Sequence, residues 1–402
     1  MISTDAGVPD STTDSYHAYI TFDSLGTKAR DDADHRIYKG QVTSFEDTSK
    51  MPPSLSSAYP WTRSPLVANA PMRSIALASL AVAVSQAGGL GFIAAGTDIR
   101  DLKNEMRRAS DMLERSPIEG AESGVLPIGV GFINWAVDLN SVLEAFNEHV
   151  PAAAWFFAPE KVDDLVEWTQ KIRERSRGKT KIWIQIGSVS DALQVAKICH
   201  PDVLVIQGAD AGGHGLAQGA GIISLLPEVA DALEEIGLNN ISLVAAGGIV
   251  EGRGTAACLA LGANGVVLGT RFLASNEANI AKGYQNDVLR ASDGGSNTVR
   301  TYLYDQLRGT TSWPSKFNGR GITNQSFFDA QNGMSSDENK RLYEMALRKG
   351  DQGWGSFGRL TAYAGAGVGL VKGVKSALGI VDEVRRDAIE VFSRTSSVSS
   401  KL

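Results

Sequence analysis

The sequence predicts an α/β protein built as a closed (β/α)8 barrel, and two observations carry that expectation. Eight short apolar or β-branched runs alternate with segments of helical spacing, the pattern of successive βα units and a parallel sheet. Glycine-rich stretches follow the sixth, seventh and eighth runs, at the strand carboxyl ends where such a barrel carries its active site. An open doubly wound sheet shares the alternation, and periodicity alone leaves it as the alternative.

The elements follow in order. Residues 1–58 are rich in Ser, Thr and Asp with little periodic apolar pattern, and read as an extension that is mostly loop. After Tyr59-Pro60-Trp61-Thr62 come the eight runs, at 66–70, 90–94, 126–132, 152–157, 181–186, 203–206, 242–246 and 266–268. Helical spacing is clearest between them at 75–86, 98–113, 162–174 and 192–199. Residues 276–350 leave the repeat. Their charged, helix-like stretches, with Trp313-Pro314 and Asn318-Gly-Arg-Gly321, suggest an appended helical region covering one side of a ligand. The chain returns to apolar, glycine-rich sequence in Tyr363-Ala-Gly-Ala-Gly-Val-Gly-Leu370, then a helix over 371–392, which closes a barrel domain spanning 59–392. A Ser-rich tail, 393–402, ends in Ser400-Lys401-Leu402, the tripeptide read by the peroxisomal import receptor, so a peroxisomal location is expected, and otherwise a cytoplasmic one.

Composition narrows the function. The 402 residues are 43% hydrophobic and 21% charged, enough for one barrel-sized core. A net charge of -6 gives no basic footprint for nucleic acid or an anionic membrane surface, so a small-molecule partner is expected. The two cysteines, Cys199 and Cys258, each lie in an apolar helical segment, which argues against a disulfide framework or a thiolate metal site; no metal is expected. No run approaches the roughly 20 apolar residues of a membrane span, and the first residues lack the form of a secretory signal.

The glycines point to an anion. In barrels of this kind a phosphate commonly sits in the loops after the last two strands, at the amino terminus of a short helix. Gly247-Gly248 and Gly269-Thr270 fall at those two places. Glycine lets backbone N–H groups approach, and the Thr270 hydroxyl can add a donor. No Walker lysine or dinucleotide fingerprint accompanies them, and Gly129-Val-Gly131 is too little to count as one. A single glycine pair may equally close a tight turn; three in register favour a ligand.

On these motifs the chain resembles the nitronate monooxygenase family, also called 2-nitropropane dioxygenases, which are FMN-containing (β/α)8 barrels. The resemblance runs from Pro60 to about Ile389. It rests on Asn69-Ala-Pro-Met72, Gln207-Gly-Ala-Asp-Ala-Gly-Gly-His214, Ala246-Gly-Gly-Ile249 and Leu261-Gly-Ala-Asn-Gly-Val-Val-Leu-Gly-Thr-Arg-Phe272, with Trp313-Pro314, Gly319-Arg320 and Gly365-Ala-Gly-Val-Gly-Leu370 adding to it. It implies that Ala70 and Met72 lie against the isoalloxazine ring, that Gln207 bonds its polar edge, and that Gly212 and Gly213 admit the ribityl chain. Gly247 and Gly248, with Val267, Leu268, Gly269 and Thr270, would hold the phosphate.

One departure matters. Family members carry a histidine at the end of strand four, in a Phe-His-Phe-Gly-like run, which takes a proton from a neutral nitroalkane. Here that run, around Phe156, is Trp155-Phe156-Phe157-Ala158-Pro159. Those aromatics could wall an extended apolar substrate or pack the barrel. Of the five histidines, His17, His35, His149 and His200 fall away from the expected flavin, and only His214 is placed near it. His214 could act as the base or serve as a structural donor, and Asp210 could orient it or face solvent. The resemblance implies an oxidoreductase that converts alkyl nitronates with O2 into a carbonyl compound and nitrite. The alternative on the same flavin barrel is an NAD(P)H reductase or dehydrogenase acting on an enone, a quinone or a biosynthetic metabolite. A third reading is a flavin-holding or merely barrel-shaped assembly partner without chemistry.

Overall fold

Alternating side chains along the apolar runs must bury both faces, and a parallel sheet rolled on itself satisfies this with one interior and one helix-covered surface. The computed structural model describes residues 55–96 and 99–399. The expected loop over 1–54 and the terminal Ser400-Lys401-Leu402 lie outside the described residues. Eight strands build the barrel: β1 (Leu66–Asn69), β2 (Phe92–Ala94), β3 (Leu126–Ile133), β4 (Pro151–Phe157), β5 (Lys181–Ile186), β6 (Val203–Gln207), β8 (Ser242–Ala246) and β9 (Gly265–Leu268). Each corresponds to one expected run. All pair in parallel, in the order β1-β9-β8-β6-β5-β4-β3-β2.

The seam between β1 and β2 is closed differently from the others. Backbone pairing there is reduced to one bridge, Ala68 with Leu90, in which Leu90 N–H donates to the Val67 carbonyl at 3.1 Å. The side chain of Asn69 completes it. Its Oδ1 accepts from Phe92 N–H at 2.9 Å, and its Nδ2 donates to the Phe92 carbonyl at 2.9 Å and to the Ala70 carbonyl at 3.1 Å. A carboxamide has the donor and acceptor of a peptide unit, so this fully buried side chain stands in for the missing ladder step.

Inside, small residues such as Ala68, Val205 and Val244 surround four aromatic rings. Trp155 and Trp183 stack with centroids 5.9 Å apart, Phe92 packs on both at 5.1 Å, and Trp183 Nε1–H donates to the Tyr59 hydroxyl at 2.7 Å. Leu55, Tyr59 and Trp61 pack with Leu66, Leu90 and Val203, filling the amino-terminal end of the barrel. The last four residues of the expected extension, Leu55–Ala58, are thus a helical turn that belongs to the core. Burial pushes the Tyr59 phenol well above its ordinary pKa, so it stays protonated. It likewise pushes the thiols of Cys199 and Cys258 up to about 11, so both are inert packing residues at neutral pH.

The outward-facing residues meet the helices. The final helix, Ala377–Ser399, starts six residues later than expected and lies against the helices Gly252–Ala260 and Ala78–Gln86. Its Arg385 donates to the carbonyls of Ala87 and Gly88, tying it to the end of the helix Ala78–Gln86.

The segment after β9 is helical as expected over Lys282–Arg290, Leu303–Arg308, Gln325–Gln331 and Ser336–Leu347. It also contributes β10 (Thr298–Thr301) and β11 (Phe317–Ile322), which join β7 (Gly213–Leu216) in an antiparallel sheet ordered β10-β11-β7. Two of these strands hide in glycine-rich sequence that reads as turn. Asn318-Gly-Arg-Gly321 is strand because Gly319 leaves room for Tyr363, whose ring lies 2.6 Å from where a Cβ would stand. Among the described residues no helix is long and apolar enough to cross a membrane, and no three His, Cys, Asp or Glu side chains cluster as a metal site would.

Replacing Asn69 with Leu strands the buried N–H and C=O of Phe92, and the expected loss is about 3 kcal/mol. Urea unfolding should show a lower midpoint at unchanged slope. A wild-type midpoint would mean that the backbone bridge alone closes the barrel.

Candidate active site

A cavity of about 590 Å³ opens at the carboxyl ends of the strands, a size suited to a cofactor-scale ligand. Of the residues expected to form a site, Ala70, Met72, Gln207, Gly212, Gly213, His214, Gly247, Gly248, Val267, Gly269 and Thr270 line it. Leu268 does not. Period-two alternation turns its side chain into the outer layer with Val266 and Phe272, and only its backbone serves the site, accepting from Ala70 N–H at 2.9 Å.

The loops after β8 and β9 are shaped for close approach. Gly247 and Gly248 have φ of 96° and 78°, consecutive left-handed residues that form a concave turn. A Cβ on Gly248 would lie 2.9 Å from the Asp210 Cβ, and one on Gly247 2.7 Å from the Gly208 carbonyl. Gly269 differs. Its nearest neighbour for a Cβ is Ala70 Cβ at 3.6 Å, so a side chain there would meet no protein clash and would project toward Ala70 and Met72 in the cavity. Thr270 Oγ1 accepts from Gly365 N–H at 2.9 Å and keeps its own proton for a ligand.

The loop after β6 is held by cations. Arg300 on β10 donates to the carbonyls of Asn318 (2.8 Å), Ala211 (2.9 Å) and Ala209 (3.3 Å), and Arg320, directly opposite on β11, also donates to Ala209. Burial and the neighbouring Arg320 pull the Arg300 guanidinium down to about 10 against the opposing pull of Asp210, so it remains charged at neutral pH. This clamp fixes the backbone that leads into Gly212, Gly213 and His214.

His214 stacks face to face on Trp313, centroids 3.8 Å apart and planes 7° from parallel. Its Nε2 lies 2.9 and 3.0 Å from the two carboxylate oxygens of Asp305. Asp305 is buried and also accepts from Thr310 Oγ1 at 2.8 Å and from the Tyr363 hydroxyl at 3.3 Å. An ionised carboxylate can only accept, so the imidazole proton sits on Nε2. Nδ1 has no hydrogen-bond partner among the described residues, and His214 lines the cavity. Burial first, and then Asp305, hold the Tyr363 phenol far above its ordinary range, which keeps its proton on the Asp305 network. Asp210, which could have oriented His214 or faced solvent, has its carbonyl accepting from Ala366 N–H at 2.9 Å and its side chain against Gly248.

The aromatic run of β4 divides by alternation. Trp155 and Phe157 line the cavity, whereas Phe156 is buried outward against Phe132 and Trp168. Phe157 packs on Trp313 and Phe317, so an aromatic shelf occupies the end of strand four. His149 and His200 lie outside the cavity.

Sequence reasoning missed several residues of the site. Gln185 could have been found as the lone uncharged polar residue in Lys181-Ile-Trp-Ile-Gln-Ile186. Asp305, Thr310, Tyr363 and Arg308 carry no local signal, because a region far along the chain brings them in. Arg308, exposed at the cavity mouth, has its guanidinium 5.5 Å above the Tyr363 ring and no ion pair among the described residues.

Comparison with known proteins places this arrangement. The family model described as nitronate monooxygenase matches residues 60–121 and 163–305, flanking β3 and β4 on either side. A protein of Metarhizium robertsii named nitronate monooxygenase npaC is 50% identical over 344 residues, covering 85% of this chain and 95% of that protein. A Neurospora crassa protein named nitronate monooxygenase is 36% identical over 359 residues, covering 84% and 92%. Among solved structures, nitroalkane oxidase from Streptomyces ansochromogenes superposes with a TM-score of 0.64 at 21% identity, over 85% of this chain and 99% of that one. FabK from Thermotoga maritima gives 0.64 at 24%, over 86% and 98%. At those identities the two structures speak for the shared barrel.

Proposed function

The chain belongs to the nitronate monooxygenase family of oxidoreductases, and on that premise we propose that it binds FMN in this cavity and oxidises alkyl nitronates with O2 to a carbonyl compound and nitrite. The observation that carries the chemistry is the His214–Asp305 pair, with Nδ1 unpartnered among the described residues and His214 lining a flavin-sized cavity.

The residues present fit the cofactor. The turn at Gly247-Gly248, with the backbone of Gly269 and the hydroxyl of Thr270, would hold the phosphate through N–H and O–H donors. Ala70, Met72, Gly212 and Gly213 supply the low relief that a flat ring needs. Bound flavin supplies electron transfer between an electron-rich carbon and O2.

His214 supplies the proton chemistry. For a neutral nitroalkane, Nδ1 takes the proton from the carbon bearing the nitro group, and the electron pair of the broken C–H bond moves into the nitro group to give the nitronate. Asp305 holds the Nε2 proton throughout and stabilises the imidazolium, while Trp313 offers its ring face to the new cation. A substrate supplied as the nitronate has already lost that proton and does not need the base. Thus His214 serves the neutral acid, and the cavity serves both forms.

The terminal Ser400-Lys401-Leu402 supports import into peroxisomes.

Anaerobic mixing of the FMN-loaded protein with propionate 3-nitronate should reduce the flavin rapidly, with NADH or NADPH slow by comparison. Fast bleaching by the nicotinamide alone would move the chain to the reductase class. His214→Asn should lower kcat/KM for neutral 2-nitropropane by about 10²–10⁴-fold and leave that for its nitronate within about tenfold; equal effects on both would remove His214 as the base. Gly269→Val, whose Cβ meets no protein clash, should keep the melting temperature of the apo-protein while weakening FMN binding about 100-fold or more, as followed by flavin fluorescence. Unchanged FMN affinity would place the phosphate elsewhere. Deleting Leu402 should move a fluorescent fusion from peroxisomes to cytosol, and an unaltered distribution would show that the tail is not read.

A further inference from the structure

A second, smaller cavity lies behind one wall of the flavin-sized one. It has a volume of about 30 Å³ and sits at the carboxyl ends of β4, β5 and β6, between those strands and the helices Asp164–Ser176 and Val189–Cys199, with Leu216 of β7 and Phe317 of β11 completing the lining. Phe157, Gln185 and Gln207 line both cavities and so form the partition between them. Trp155 Nε1–H donates to the Gln185 oxygen at 3.1 Å, and Gln207 donates to the His214 carbonyl at 3.1 Å. Phe157, by contrast, is held by packing, its ring centroid 5.4 Å from that of Phe317. Beyond the partition the lining is mostly apolar, with Val162, Leu165, Ile186, Val195 and Leu216 around the space. Its two charged residues, Asp191 and Lys316, reach solvent and pair with each other across 4.0 Å.

Size and polarity select the occupant. A water needs about 10–15 Å³ of such space, so this cavity has room for a molecule of about two heavy atoms, and an alkyl nitronate or a nicotinamide is larger than that. An apolar lining gives water few hydrogen bonds and an anion no solvation, whereas an apolar diatomic gains by leaving water for it. We propose that this cavity is the antechamber through which O2 enters the site, passing the partition beside the Phe157 ring. This rests on the nitronate oxidation proposed above, in which O2 is the electron acceptor. That reaction brings flavin, nitronate and O2 to one cavity, and the antechamber holds the smallest of the three outside the space that the other two need. Displacement of Phe157, the partition side chain without a hydrogen bond, opens the passage while the two glutamines stay tied to their partners.

Val162 lines the smaller cavity and not the larger, and it is partly exposed, so Val162→Phe fills the space away from the cofactor. The test measures O2 consumption by the FMN-loaded protein at saturating propionate 3-nitronate with O2 varied, and separately the anaerobic reduction of the flavin by the same nitronate. Val162→Phe should lower kcat/KM for O2 about tenfold and leave the anaerobic reduction rate unchanged. A wild-type kcat/KM for O2 in the folded variant would overturn the proposal, as would an equal loss in both measurements. If the variant does not fold, xenon, which enters dry apolar cavities, takes its place as the blocking agent. It should inhibit the wild-type protein in competition with O2 without slowing the anaerobic reduction, and an absence of competition would overturn the proposal. Wild-type protein that consumes no O2 with the nitronate would instead remove the proposed function, and this inference with it.

Discussion

The structure depends on the side-chain amide of Asn69. Seven of the eight barrel seams are ordinary parallel ladders, but the eighth has one backbone bridge and one carboxamide. The same amide holds the Ala70 carbonyl, so the residue that shuts the barrel also sets the direction in which Ala70, Pro71 and Met72 leave it. Their path is tight. A Cβ on Gly131 would stand 2.4 Å from Pro71, and one on Gly129 2.2 Å from the Phe92 ring. The pair Gly129-Val-Gly131, too slight for a nucleotide fingerprint, thus has a packing purpose: it admits the two groups that flank the seam. Barrel closure and the floor of the cavity are one constraint.

A second constraint comes from the small sheet. Arg300 and Arg320 are placed opposite each other, an arrangement that repels unless something compensates. Backbone carbonyls do so: those of Ala209, Ala211 and Asn318 accept from the two guanidinium groups, and the carboxylate of Asp210 lies close by. The loop that carries Gly212 to His214 is thereby fixed by side chains roughly 90 residues further along. Asp305 and Trp313 arrive on the appended region and Tyr363 on the stretch that follows it, and all three meet the same imidazole, one by its charge, one by its ring face and one through the carboxylate. The region that breaks the βα repeat is what turns a binding pocket into a site with a directed lone pair.

These two constraints explain what the sequence could reveal. The eight strands were legible because burial on both faces leaves continuous apolar runs, and the strand-end glycines because each lies a few residues past its run. Leu268 brings only its backbone to the site because a motif names consecutive positions, while a strand sends alternate side chains to opposite sides. The same alternation splits Trp155-Phe156-Phe157. The strands β7 and β11 were hidden because their glycines, chosen for close approach by Tyr363 and the β6 loop, mimic turn chemistry. Asp305 was invisible for a different reason: its relation to His214 is set by tertiary packing across 91 positions.

With no histidine at the end of strand four, the proposed reaction is left to the imidazole of His214. Phe157 closes the end of β4 by packing on Trp313 and Phe317, so no ionisable group faces the cavity from that side. Yet the Trp313 ring that completes this aromatic shelf is also the ring under His214. The aromatic shelf that closes strand four thus also places the Trp313 ring on His214, whose Nε2 meets the Asp305 carboxylate. The family model's two matched stretches lie on either side of β3 and β4, consistent with local change there while the glycine motifs and the His214 loop keep the family pattern. In the proposed reaction the proton leaves the substrate toward the β6 side of the cavity, next to the Gln207 amide whose NH2 group is bonded to the His214 carbonyl. The proposed base and the Gln207 amide are therefore joined by a hydrogen bond of 3.1 Å.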